Sequence, residues 1–304
     1  MVILNSILPA FIIIAFGYFL KKKEYISETT ETFINNLAYY LVLPCMIFGS
    51  IYKLPFREVF NLAAVGGLYL SATIAFGLAL GLSFLFNERK RGAFTTSSYR
   101  SNIAYIGFPI VYNLYGDLGL GKISVITGFM APFIIIIAVI YLNYQERCCH
   151  KKENVLKLIT KDPLIVTSIV AVILSYFEVK FPKFFMTTVD MFSSMGSPLM
   201  LIAVGAGLKI SAINKDRIMI GVSTFIKLMV MPAVSLLIFT YVIPIKDEMM
   251  FNIAVLTLAL PTALSNFVLV KKYGGDHTLV AGTITVTTIA SLFTISAWTY
   301  LLMK

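Results

Sequence analysis

The chain is divided into long stretches without aspartate, glutamate, lysine or arginine, and these stretches constrain its fold most strongly. They cover 1–20, 32–52, 59–87, 101–116, 123–145, 163–177, 191–208, 218–245, 249–270 and 277–303, with Lys227 the one charge inside them. A membrane-spanning helix needs about 20 mostly apolar residues, whereas strands of a membrane barrel alternate over segments of about ten. The sequence therefore predicts an all-α polytopic membrane protein with ten transmembrane helices.

Composition and charge agree with a lipid environment. Apolar residues make up 58% of the chain and charged residues 13%, about half the charged share of a soluble domain. The net charge of +10 comes from basic residues between the apolar stretches, which favours a topological signal over a nucleic-acid partner. Placing the N-terminus outside puts most of these residues on the inner side. We therefore expect a multi-pass protein of the cytoplasmic membrane with both termini outside.

Few residues could support metal or covalent chemistry. Cys148, Cys149 and His150 adjoin one another, but the only other histidine is His277, too few for a zinc site with four suitably spaced ligands. The His-Glu-x-x-His pattern of a metalloprotease is absent. We expect no metal, no cofactor and no enzymatic activity.

Matching proline positions indicate an internal repeat. Pro44 and Pro198 are 154 positions apart, and Pro109 and Pro261 are 152 apart. The spacing predicts two five-helix repeats, 1–152 and 153–304. An odd number of spans per repeat inverts one copy relative to the other, as in many secondary transporters.

Helices 4 and 9 are predicted to be broken within the membrane. Pro109 and Pro261 lack an amide hydrogen and disfavour helical geometry in the preceding residue, and Gly107 weakens helix 4 further. Unpaired backbone groups are not tolerated against lipid, so the breaks should face protein or water. The half-helix amino ends could bind a carboxylate, or the freed carbonyls could bind a cation.

Polar side chains cluster around the predicted breaks. Asn102 precedes Pro109, and Thr262 and Asn266 follow Pro261. Interhelical hydrogen bonding is the simplest role for an asparagine in a membrane helix. Because Asn102 and Asn266 lie beside paired breaks, we favour a shared binding cavity.

Lys227 is the only charge well inside a span. It could extend toward the membrane interface, or it could balance an anion or an internal carboxylate. Asp190, at the start of the seventh span, is the best candidate for that carboxylate. Coupling to Na+ or H+ is compatible with these features but cannot be assigned to particular residues.

The motifs resemble the auxin efflux carrier family, which includes plant PIN auxin carriers and prokaryotic malate and malonate permeases. The similarity covers nearly the whole chain and is most specific from Asn102 to Pro109 and from Ala259 to Gly274. It also includes Gly17-Tyr18, Ile34-Asn35-Asn36, Leu43-Pro44, Lys227 and Met231-Pro232-Ala233.

The resemblance implies a fold like that of bile-acid symporters and the NhaA antiporter, in which broken helices 4 and 9 cross. Helices 1, 2, 6 and 7 would form a scaffold, and helices 3–5 and 8–10 a transport domain. An organic anion would bind near the crossing, and homodimers would form through the scaffold. The implied substrate-binding residues are Asn102, Gly107, Pro109, Pro261, Thr262 and Asn266, with Pro44 and Met46 of helix 2 on one side.

Two departures separate the chain from plant carriers. Its third span, 59–87, has no charge where plant carriers have an acidic and a basic residue, and Thr262 stands where they have glutamine. The broken helices and the resemblance together imply a prokaryotic secondary transporter of small carboxylates, or of auxin-like acids, working by elevator-type alternating access. An anion channel or a membrane sensor with the same fold is the alternative.

Overall fold

A computed structural model describes residues 2–145 and 160–304, and the regular structure in these ranges is helical. Cys148, Cys149 and His150 lie outside the described residues. Six helical runs there are long and apolar enough to cross a membrane: Glu28–Tyr52, Leu62–Ser83, Ile103–Gln145, Lys183–Ala206, Arg217–Val242 and His277–Leu302. Two shorter apolar helices are Pro163–Tyr176 and Glu248–Ala259. An all-helical protein with several membrane-crossing helices is therefore supported, while the count of ten and the inverted repeat remain predictions.

The chain divides into two compact units. The first consists of 1–62, 104–131 and 156–207, and the second of 63–103, 132–155 and 208–304. Each unit is thus assembled from segments that are distant in sequence. The division into repeats 1–152 and 153–304 remains a prediction.

The first unit contains α1 (Val2–Lys22), α2 (Glu28–Leu37), α3 (Leu43–Tyr52), α4 (Phe56–Val59) and most of α7 (Phe108–Gln145). It also contains α8 (Pro163–Tyr176), α9 (Lys183–Ser194) and α10 (Gly196–Ala206). Within α7, Gly116 adopts a φ of 64°, which separates two helices as expected for spans 4 and 5.

Close glycine contacts pack α1 against α10. A Cβ atom at Gly17 would collide with the backbone oxygen of Ile202, and a Cβ atom at Gly205 would collide with the carbonyl oxygen of Ile14. Small residues allow helix backbones to approach closely in membranes. Glycine at these two positions therefore determines how closely the two helices pack.

The second unit contains α5 (Leu62–Ser83), α6 (Glu88–Tyr99), the end of α7, α11 (Arg217–Phe225) and α12 (Met231–Leu237). It also contains α13 (Glu248–Ala259), α14 (Ser265–Lys272) and α15 (His277–Leu302). Carboxylates begin two of these helices, because Asp247 accepts from the Met250 N–H and Asp276 from the Thr278 and Leu279 N–H groups.

Three prolines follow π-helical segments. Pro44, Pro109 and Pro232 each occupy the second position of an α-helix that continues a π-helix, at Ala38–Val42, Ile103–Gly107 and Ile226–Val230 respectively. Proline cannot donate a backbone hydrogen bond and its ring clashes with the carbonyl four residues earlier. The wider π-turn accommodates both effects, so the chain stays helical through these prolines.

Candidate functional site: a crossing of two interrupted helices

Two chain interruptions pair with each other in the second unit. After α6, Arg100 is extended, and after α13, Leu260 is extended with ψ 151°. Ser101 and Thr262 form an isolated antiparallel bridge. The Asn102 N–H donates to the Pro261 carbonyl oxygen at 2.8 Å, and the Ala263 N–H donates to the Arg100 carbonyl oxygen at 3.0 Å. Each interruption therefore satisfies backbone groups that the other leaves open. We call residues 100–102 and 260–263 the crossing.

The structure confirms the predicted break in helix 9 and places the break in helix 4 at a different position. Helix 9 is interrupted immediately before Pro261, as expected from the missing amide hydrogen and the extended preceding residue. Helix 4 is not broken at Gly107 and Pro109, because the π-turn before Pro109 keeps the chain helical there. Its interruption lies earlier, at Arg100–Asn102, where no proline or glycine occurs.

Thr262 anchors residues 260–263 of the crossing. Its side chain is fully buried. The Thr262 hydroxyl donates to the Ser97 carbonyl oxygen at 2.8 Å, and the Thr262 N–H donates to the Thr287 Oγ1 at 3.2 Å. The residue predicted from the sequence as substrate-binding thus has a clear structural role in anchoring the interruption to α6 and α15.

Asn266 holds α14 against α6 from the same side. Its Oδ1 accepts from the Arg100 Nη1 at 3.0 Å, and its Nδ2 donates to the Ser97 Oγ at 3.0 Å and to the Thr96 Oγ1 at 3.3 Å. Asn266 is completely buried. These three bonds satisfy both ends of the amide, as a buried asparagine requires.

Arg100 is a site residue that sequence reasoning missed. The pattern of basic residues groups it with Arg89, Lys90 and Arg91 in an inner loop. In the structure it is buried, and its Nη2 also donates to the Ser265 Oγ at 3.4 Å. The uncharged stretch 92–99 that separates it from those loop residues could have indicated its position. The guanidinium and the first turn of α14 together make this end of the crossing electropositive.

Asn102 contributes an unsatisfied polar group to the crossing. Its backbone is held by Pro261, and only 4% of the residue is exposed. The Nδ2 atom is buried and has no hydrogen-bond partner within the ranges 2–145 and 160–304. A buried donor without a partner costs about 1–3 kcal/mol, so this atom calls for an explanation such as a ligand.

Lys227 lies beside the crossing with its ammonium fully enclosed. Its Nζ donates to the Ser101 Oγ and the Leu258 carbonyl oxygen, both at 2.8 Å, and to the Met231 Sδ at 3.5 Å. The predicted partnership with Asp190 is not observed, because the Asp190 carboxylate accepts from the Lys53 Nζ at 2.6 Å. Neutral acceptors around Lys227 take the place of the expected carboxylate.

A family model described as membrane transport protein matches residues 2–299. The chain belongs to this family. An uncharacterized transporter of Methanocaldococcus jannaschii is 25% identical over all of both chains, and the uncharacterized transporter YfdV of Escherichia coli K12 is 25% identical over 98% of this chain and 96% of its own. A Rhizobium meliloti protein named "Putative malonate transporter" is 23% identical over 99% of this chain and 96% of its own.

These relatives confirm the resemblance to auxin efflux carriers read from the motifs, and with it a membrane transport role. Among solved structures, the sodium proton antiporter MjNhaP1 of Methanocaldococcus jannaschii at pH 8 is 14% identical, with a TM-score of 0.46 over 100% of this chain and 99% of that one.

The remaining predicted residues belong to the first unit. Gly107 and Pro109 bracket the start of α7, and Pro44 and Met46 lie on α3, where Met46 is buried and its Sδ would lie 2.9 Å from a Cβ atom at Gly196. Met46 therefore packs inside its own unit. A role in substrate binding for these four residues remains a prediction.

Proposed function

We propose that the chain is a secondary transporter of small organic anions, working by elevator-type alternating access. The unsatisfied Nδ2 of Asn102 carries the proposal, because it is a buried hydrogen-bond donor at the crossing with no acceptor among the residues that the structure describes. Membership of a transport family supplies the class of activity. A cytoplasmic-membrane location, outward termini and a homodimer belong to the same proposal.

A carboxylate is the chemical group that suits this donor. Ionised acceptors make hydrogen bonds of about 1.5–3 kcal/mol, stronger than neutral ones. The positive end of α14 and the Arg100 guanidinium raise the local potential further. The amino end of α14 and the Arg100 guanidinium are held by contacts within the protein before a ligand binds. Less conformational entropy is therefore lost on binding. In the proposed complex, Asn102 contacts the carboxylate while Pro261, Thr262 and Asn266 hold the crossing in shape.

Small dicarboxylates are the first substrates to test. The Rhizobium meliloti relative is named for malonate, and we extend that substrate class to this chain. Auxin-like acids are the second class to test. The third span of this chain has no charged residue, so the acidic and basic pair of plant auxin carriers is missing from it.

The test is uptake of radiolabelled malonate, malate and indole-3-acetate into proteoliposomes. Wild-type protein should show saturable uptake of at least one substrate, whereas rates that never saturate would indicate a channel. Asn102→Ala should raise the KM about ten-fold or more, the effect of losing one charge-assisted hydrogen bond.

Asn113→Ala is the matched control, because the Asn113 Nδ2 is already bonded to the Ser6 carbonyl oxygen at 3.1 Å. Its KM should stay within about two-fold of wild type, as expected when no substrate contact is lost. Normal transport of all three acids by Asn102→Ala would refute the assignment of the site.

A further inference from the structure

Lys227 is a fully enclosed ammonium whose three donors match three acceptors. It is 0% exposed, and its partners are a hydroxyl, a backbone carbonyl and a thioether. An ammonium group carries three donors and no acceptor. No ion pair found within 2–145 and 160–304 involves Lys227. Its charge is therefore balanced by oriented dipoles.

Two of these acceptors depend on the interruptions: one is freed by the interruption after α13, and the other belongs to the interruption after α6. In a continuous helix, the Leu258 carbonyl would accept from the N–H of Thr262, four residues later. That N–H instead donates to Thr287, which frees the carbonyl at the last turn of α13. The carboxyl end of a helix carries about half a negative charge, and the Lys227 ammonium lies directly against it. Ser101, the second acceptor, belongs to the other interruption and pairs with Thr262.

Freed carbonyls and half-helix carboxyl ends are the groups that coordinate sodium in transporters with broken helices. Here a covalently attached cation already occupies such a position. We propose that Lys227 is a built-in substitute for a coupling cation at the crossing, so that neither the folded crossing nor transport requires sodium. Lys227 is a positioning residue in this proposal, because it acts on the two interruptions and not on the substrate.

The proposal goes beyond the transport function and can be tested without a known substrate. Thermal unfolding of purified protein in detergent is measured in sodium chloride and in choline chloride at equal ionic strength. Trp298 reports on this region, because its Nε1 donates to the carbonyl of Leu228, the residue after Lys227, at 2.9 Å. The wild-type midpoint should be the same in both salts.

Lys227→Ala removes the tethered cation and leaves the oxygen acceptors in place. Its midpoint should be lower than wild type and should rise with added sodium chloride but not with choline chloride. Lys227→Ser, which adds an oxygen ligand, should show the same sodium response. Lys90→Ala is the control, because it breaks an ion pair with Asp216 (Nζ to Oδ1, 2.6 Å) on the same unit, and its midpoint should not respond selectively to sodium.

Two results would overturn the proposal. One is a wild-type midpoint or uptake rate that rises selectively with sodium. The other is a folded Lys227→Ala or Lys227→Ser protein that is indifferent to sodium. If neither variant can be purified folded, the wild-type comparison decides. Because the unfolding arms need no substrate, absence of carboxylate uptake would refute the proposed function and leave these outcomes intact.

Discussion

Asn266→Ala is expected to destabilise the protein strongly, because this one buried amide makes three of the four side-chain hydrogen bonds that join α14 to Arg100 and α6. The bond from Arg100 is charge-assisted and is worth about 2 kcal/mol, and each neutral bond to Ser97 and Thr96 is worth about 1 kcal/mol. Asn266 is 0% exposed, so water cannot readily replace the lost acceptor. The free energy of unfolding should fall by about 3–4 kcal/mol.

The assay is denaturant unfolding in detergent, followed by the fluorescence of Trp298, which is the only tryptophan. Asn35→Ala serves as the comparison, because the Asn35 Nδ2 makes one bond to the Glu31 carbonyl within its own helix at 3.0 Å. That variant should lose less than about 1 kcal/mol. If Asn266→Ala unfolds within about 0.5 kcal/mol of wild type, the network does not hold the crossing together and the reasoning fails.

Two further predictions concern packing and charge. Gly17→Ala should lower the free energy of unfolding by about 2–3 kcal/mol, because the new methyl group would collide with the Ile202 carbonyl. The control Gly77→Ala should be neutral or stabilising, because a Cβ atom there would have nothing within 4 Å. Equal midpoints for the two variants in a thermal melt would contradict the predicted collision. Lys53→Ala should lower the free energy of unfolding by less than about 1 kcal/mol, since the ion pair of Lys53 with Asp190 is half exposed. A decrease above about 2 kcal/mol in the same melt would contradict the interpretation of this pair as a surface contact.

The interruption at Pro261 could be predicted from the sequence because its cause is local. Proline removes a donor and pushes Leu260 out of helical geometry, whatever the rest of the chain does. The starts of α8 at Asp162-Pro163 and of α15 at Asp276 are similarly local, because a carboxylate accepts the first free N–H groups.

The interruption at Arg100–Asn102 could not be predicted in the same way. Its residues carry no conformational signal, and it is held by bonds to Pro261 and Ala263, about 160 positions away. The proline at 109 gave a misleading signal, since a π-turn absorbs its effect. The hydrogen bond from Lys227 to Leu258 could not be predicted from the pattern of apolar stretches either. It depends on which backbone carbonyl of the ninth helix loses its helical partner.

The pairing of the two interruptions changes how an anion would be bound. Sequence reasoning expected open peptide dipoles around a hydrated pocket, yet the backbone groups of Arg100, Asn102, Pro261 and Ala263 are bonded to one another. Among the described residues, the Nδ2 of Asn102 is a side-chain donor that is still open to a ligand. Removing a buried donor that has no partner is nearly neutral or stabilising, so Asn102→Ala should unfold at or above the wild-type midpoint even though its KM for substrate rises. A functional residue commonly lowers stability in this way. A marked loss of stability in Asn102→Ala, comparable to that of Asn266→Ala, would show that the Asn102 side chain stabilises the crossing and is not a free donor for substrate.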